Sequence, residues 1–264
     1  ELSQIMKDLF EMKRAVLRQY FYQKGITSDL SEPVALVDIG WRGTIQDNIA
    51  RIFPEIRFEG FYLCLAPFLN EQPLNAHKQS YLRRRDSQII LKYPTPMEML
   101  CNSSLGSVTR YEIVGEKVEA VRENEPLENR VYNIYTRKFQ ETVLRSVRKA
   151  SIPEADLCLH LGRRGMESFL LWPEKKASEA FFTLRHNEKF GNGRYVDKDT
   201  SINQHLYLEA VFNRKKRKRL KEDLWMTTWP QGYLRKKGKY WWLIMYNVLL
   251  RLREGISGKD KEAY

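Results

Sequence analysis

The stretch PVALVDIGWRGTIQDNIARIF, residues 33–53, decides the fold. Its opening, PVALVD, is a short apolar run that ends in an acid, the pattern of a buried strand. Gly40 and Gly43 then bracket Trp41 and Arg42, and TIQDNIARIF follows with apolar residues at helical spacing as far as Pro54. A second run, IRFEGFYLCLA (56–66), reads as another strand. Strand, helix and strand within about 35 residues make a βαβ unit, which implies a parallel sheet and a right-handed crossover.

Outward from this core, residues 2–24 carry Leu2, Ile5, Met6, Leu9, Phe10, Val16, Leu17, Tyr20 and Phe21 at intervals of three and four, an amphipathic helix that Gly25 would stop. From 68 to 128 the chain is polar and interrupted. A strand is expected after Arg85, then a helix end, a Ser/Gly loop and a β-hairpin around Gly115-Glu116. Residues 129–150 read as a helix with Val131, Ile134, Tyr135, Phe139, Val143, Leu144 and Val147 on one face. A further helix is broken at Pro173, and a basic run, NRKKRKRLKEDLW, follows a Gly/Asn-rich loop. The class is therefore α/β, a parallel-sheet βαβ core with a helical, basic C-terminal half. The division expected is 1–128 for an α/β donor-binding core and 129–264 for a mainly helical, basic region that completes the site and ends in a tail suited to a membrane surface.

The composition bounds the function. The 264 residues carry a net charge of +12 with 42 % hydrophobic and 12 % aromatic residues, enough for a substantial core and against disorder. No apolar run reaches the roughly 18–20 residues of a membrane-spanning helix. Neither a secretory leader nor an initiator methionine is present, so a segment of a longer polypeptide is expected. Cys64, Cys101 and Cys158 are scattered without C-x-x-C spacing, which argues against a zinc site or disulfide framework and for a reducing cytoplasm. The positive charge calls for an anionic partner. The run at 214–221 has no nucleic-acid recognition motif beside it, so nucleic acid is not the expected partner.

The turn at 38–46 is where chemistry concentrates. Asp38 stands at the carboxyl end of a strand, where open α/β sheets bind ligands, and can accept hydrogen bonds from sugar hydroxyls or remove a proton. Gly40 and Gly43 permit a sharp turn and close approach. Thr44 is read as the N-cap, with Asp47 three residues on. The first-turn N–H groups, with Gln46 among them, and the forked charge of Arg42 suit a phosphate. A tight connection with no ligand is the alternative, set against an exposed-looking Trp41 and Arg42 that folding would not need.

ALVDIGWRGTIQDNI, FEGFYLCL and PMEMLCNSSLGSVTRYE together resemble the region that follows a haloacid-dehalogenase-like phosphatase domain in bacterial surface-polysaccharide proteins. Some members of that family are dual-domain ribofuranosyltransferases. The resemblance covers roughly residues 1–150. It implies that this chain is the glycan phosphoribosyltransferase domain, with phosphoribosyl pyrophosphate as donor and a lipid-linked O-antigen or capsule glycan as acceptor. It also implies Mg²⁺ with the pyrophosphate, and a phosphatase domain fused to it or working with it, since the chain itself has no D-x-D-[TV] motif. In this reading Asp38 and Glu98 are the catalytic candidates. Gly40, Trp41, Arg42, Gly43, Thr44, Gln46, Arg83, Arg84, Arg85, Ser103, Ser104, Arg185 and His186 are the donor- or phosphate-binding candidates. No set of side chains has metal-ligand spacing.

The tail KKGKYWWLIMYNVLLRLR reads either as a helix at an anionic membrane surface, which would place the protein peripherally at the inner face of the cell membrane, or as a helix docked on the core. Two further function classes stay open. One is a sugar-nucleotide-dependent glycosyltransferase. The other is a non-catalytic module that binds glycan or membrane.

Overall fold

The computed structural model of the chain describes residues 2–82, 88–123, 125–149, 155–184, 186–188, 194–196, 199 and 201–257. It is a mixed α/β protein in two compact units. The first holds Glu1–Leu91 and Ser103–Glu125, and the second holds Lys92–Asn102 and Pro126–Tyr264.

The first unit begins with α1 (Leu2–Gln23), followed by β1 (Val34–Asp38), α2 (Thr44–Ile52), β2 (Phe58–Tyr62) and β3 (Ala76–Ser80). The three strands form a parallel sheet in the order β1-β2-β3. β1, α2 and β2 are the βαβ unit of the quoted stretch. β3 was not expected, because AHKQS has no alternating apolar pattern. α2 and the end of α1 cover one face: Ala50, Phe53, Ile56 and Phe58 form the centre, with Phe21, Val34, Leu36 and Ala76 packed against them. On the other face Val37 is 85 % exposed and Phe61 is also open to solvent. Polar side chains tie the layers together. Asn75 Nδ2 donates to the Ala50, Phe53 and Ile56 carbonyls at 3.0, 2.9 and 2.8 Å, closing the C-terminal end of α2. Arg18 reaches from α1 to the Ile52 carbonyl and to Glu55, with its guanidinium 5.0 Å from the Phe53 ring centre.

Where a strand was expected after Arg85, residues Gln88–Lys92 form a short helix, α3, that buries Ile89 and Ile90. Two adjacent buried isoleucines suit a helix turn as well as a strand, and a short apolar run does not decide between them. β4 (Val108–Val114) and β5 (Lys117–Arg122) form the expected hairpin about Gly115. It packs on α1, with the Tyr20 and Tyr111 rings 4.7 Å apart and Val118 N–H bonded to Gln23 Oε1 at 3.0 Å.

The second unit is helical. α4 (Thr95–Leu100) precedes α5 (Pro126–Val131), a π-helical turn (Tyr132–Thr136) and α6 (Arg137–Lys149); α7 (Ala155–Leu171) and α8 (Lys175–Thr183) follow. The short strands β6 (His186–Glu188) and β7 (Arg194–Val196) pair antiparallel, and α9 (Gln204–Phe212), α10 (Arg214–Met226), α11 (Pro230–Lys236) and α12 (Tyr240–Ser257) complete the unit. Its core is aromatic. Trp229 is fully buried against Phe169 and Phe181, and its indole N–H donates to the Leu170 carbonyl at 2.9 Å. α12 docks through Leu243, Asn247 and Leu250, so it belongs to the core. Its opposite side, with Trp241 79 % exposed and Met245, Val248 and Leu252 at helical spacing from it, is open to solvent. The reading of the tail as a helix docked on the core therefore holds for one side of this helix. Among the described residues no helix is long and apolar enough to cross a membrane.

Candidate functional site

Parallel register aligns the carboxyl ends of the strands: Asp38 lies opposite Tyr62, and Tyr62 opposite Ser80. Asp38 shares its strand face with Val34 and Leu36, the face that α2 covers. The chain then turns through Gly40 (φ 143°), whose peptide to Trp41 is cis, and Gly43 (φ 65°), and enters α2. Hydrogen bonds from Leu63 N–H to Asp38 O and from Ala66 N–H to Trp41 O, at 3.1 and 2.6 Å, hold the turn against the segment that leaves β2. Gly40 N–H faces Asp38 Oδ1 at 3.5 Å. Arg42 is fixed by one bond, Nη1 to the Pro67 carbonyl at 2.7 Å.

The cap of α2 is Gly43, in the left-handed conformation and with no side-chain hydrogen bond, and Thr44 is the first helical residue. This corrects the expectation that Thr44 caps the helix with Asp47 as its reciprocal partner. Asp47 is buried elsewhere: its carboxylate pairs with Lys78 Nζ at 2.5 Å, with side-chain exposures of 7 % and 2 %. Lys78 Nζ also donates to the Arg42 carbonyl at 3.2 Å and to Gln72 Oε1 at 2.6 Å.

Gly43 is small for a reason other than ligand approach. A Cβ there would meet Tyr62 OH and Lys78 Cε, each at 2.8 Å, so the space is filled by the protein itself. Gln46, counted among donor-binding candidates, is likewise fully engaged in the frame. Its amide donates to the Phe58 and His77 carbonyls at 3.2 and 2.9 Å and accepts from Tyr62 OH at 2.7 Å. It lies over Gly60, where a Cβ would stand 2.0 Å from Gln46 Oε1. Burial, and next the charges of Asp38 and Asp47, push the Tyr62 phenol up to about 12, so it is a neutral donor at physiological pH. Burial likewise raises the Cys64 thiol to about 12.

Asp38, Gly40, Trp41, Arg42, Gly43, Thr44 and Gln46 are therefore one structure. What the turn offers to solvent is the half-buried Asp38, Trp41 and Arg42, and the exposed start of α2 at Thr44 and Ile45. The first N–H groups of a helix have no acceptor within it, and here no side chain caps them. Such an end, with a guanidinium beside it and a carboxylate at the neighbouring strand end, can bind an anion that also carries hydroxyl groups.

Ser103, Ser104 and Glu98 belong to other segments of the chain. Ser103 and Ser104 are in the exposed loop before β4, and Ser103 Oγ accepts from Leu105 N–H at 3.1 Å, a local turn. Glu98 is on α4 of the second unit. Arg83, Arg84, Arg85 and Arg185 lie outside the described residues, as does the side chain of His186, whose backbone is in β6. Among the described residues no three His, Cys, Asp or Glu side chains converge to hold a metal. Sequence reading missed Tyr62 and Lys78. The glycine at the centre of FEGFY, a gap in a buried strand that some side chain must fill, is the signal that could have pointed to this cluster.

No known protein family matches the chain, and no curated protein matches it.

Proposed function

We propose that this chain transfers a phosphoribosyl group from phosphoribosyl pyrophosphate to a glycan hydroxyl, with the β1–α2 turn as the donor site. One observation carries the reading: an α2 N-terminus without a side-chain cap, entered through Arg42 and Gly43, faces the same strand end as Asp38. The 5-phosphate accepts hydrogen bonds from the Thr44 and Ile45 N–H groups and from Arg42, whose guanidinium has donors beyond the one given to Pro67. The acceptor oxygen forms a bond to C1 of the ribose as the bond from C1 to the pyrophosphate oxygen breaks, its electron pair leaving with pyrophosphate. Asp38 takes the proton of the acceptor hydroxyl. The bacterial polysaccharide setting, the lipid-linked acceptor and the partnership with a phosphatase domain rest on the sequence resemblance.

Transfer of labelled ribose phosphate to a glycan acceptor tests this. Asp38→Asn, nearly isosteric, should fold and bind donor normally while turnover falls by about a hundredfold or more, the range of positioned acid–base groups. Transfer from a sugar nucleotide but not from phosphoribosyl pyrophosphate would replace the donor. Wild-type turnover in the Asn variant would remove Asp38 from the chemistry.

A further inference from the structure

The expected apolar face of residues 129–150 is present, but nothing in the described structure covers most of it. Val131 and Thr136 are buried, and Gln140 ties the start of α6 to the Leu100 and Asn102 carbonyls at 3.0 and 2.8 Å. Beyond that anchor α6 buries none of its side chains. Phe139, Val143, Leu144 and Val147 are 45, 42, 57 and 65 % exposed. At 100° per residue these four share one arc, and Arg137, Lys138, Arg145, Arg148 and Lys149 occupy the opposite one with a single acid, Glu141. Packing of an amphipathic face stabilises helices in proteins, and among the described residues of its unit nothing buries the apolar side chains of α6.

We propose that α6 lies on an anionic phospholipid bilayer, with Phe139, Val143, Leu144 and Val147 inserted at the level of the acyl boundary and the five cations among the headgroups. A strongly amphipathic helix, modest in overall hydrophobicity and basic on its polar side, is the form that binds in the interface plane. Charge complementarity selects this occupant: five cations against one glutamate on the polar side match an anionic surface rather than a neutral one. The inference does not depend on the donor or on the reaction proposed above.

Co-sedimentation with vesicles of phosphatidylcholine, and of phosphatidylcholine mixed with phosphatidylglycerol, tests it. The whole chain should bind the mixed vesicles and release them as salt rises. The paired substitutions Phe139→Gln and Val147→Gln keep helix propensity and remove apolar insertion, whereas Arg145→Glu and Arg148→Glu reverse the charge. Each pair should weaken partitioning by at least about tenfold with the circular dichroism spectrum unchanged. Trp241→Gln, on the open side of α12, should leave partitioning as it was. The proposal fails if no vesicle is bound, if neutral vesicles bind equally well, or if Trp241→Gln abolishes binding while the α6 variants do not. It also fails if the chain is a dimer that the α6 variants turn into a monomer.

Discussion

Each unit lays a large side chain across a glycine, and the two choices differ in kind. In the first unit the side chain is Gln46 over Gly60, bonded to Tyr62 and to the Phe58 and His77 carbonyls, with the buried Asp47–Lys78 pair as a second polar tie in the same unit. In the second it is Trp229 over Gly232, where a Cβ would stand 2.4 Å from the indole ring. Directional polar bonds fix the register of three strand ends and a helix start, which is what a site at β1–α2 needs. An aromatic centre stabilises by area and packing, and tolerates more adjustment. The polar frame thus makes the first unit brittle in ways the second is not.

Removing a charge from that frame should have the largest effect. Lys78→Met leaves the Asp47 carboxylate buried without its cation, and should destabilise the protein by about 3–5 kcal/mol in denaturant unfolding. Adding Asp47→Leu should recover most of that loss. A single variant as stable as the double one would mean that the pair contributes little.

Filling the two glycines should give smaller losses, and a contrast. Gly60→Ala and Gly232→Ala should each cost about 1–3 kcal/mol as overpacked sites. At Gly60 the loss should come with a disturbed β1–α2 turn, seen as faster amide exchange at Asp47 and Leu63, because Gln46 must leave its partners. At Gly232 the turn should be untouched. Equal exchange in both variants would contradict the separation drawn between the units.

The mildest test is alkaline. The Tyr62 hydroxyl and the Cys64 thiol both titrate higher in the folded chain than their ordinary values of 10 and 9, each reaching about 12, with burial as the leading cause. The unfolded chain releases these protons first, so their contribution is intact below pH 9 and is lost as pH rises from 9 toward 12. Melting temperature should fall across that window, and the fall should lessen in a Tyr62→Phe variant. The same burial should make Cys64 slower than the exposed Cys101 to react with a thiol reagent in a Cys158→Ser background.

β1, α2 and β2 were legible because an apolar run, two glycines and a helical period follow one another, and the hairpin was legible from Gly115. The bare N-terminal helix turn could also be read, although its cap was assigned one residue late: Thr44 is a common cap residue, and only the backbone at Gly43 shows that Thr44 is already helical. β3 was hidden because its inward residue is Lys78, which is buried only by virtue of Asp47 on another element. The roles of Gln46 and Tyr62 were hidden for the same reason, since each depends on what lies across the sheet. α12 was ambiguous in composition because it is apolar on both sides, and only packing tells the docked side from the open one.

The central claim is that the β1–α2 turn holds the donor's 5-phosphate. Calorimetric titration of wild type and Arg42→Ala with phosphoribosyl pyrophosphate, and with a ribosyl pyrophosphate lacking the 5-phosphate, tests it most directly. Arg42 is half-buried at the mouth of the turn, and its loss leaves the frame of Gln46, Tyr62 and Lys78 intact. Loss of its charge-assisted bonds, worth about 1.5–3 kcal/mol, should weaken phosphoribosyl pyrophosphate by roughly tenfold to a hundredfold. The donor without the 5-phosphate should lose little. Equal losses for the two donors would place Arg42 on the pyrophosphate and contradict the assignment of the turn.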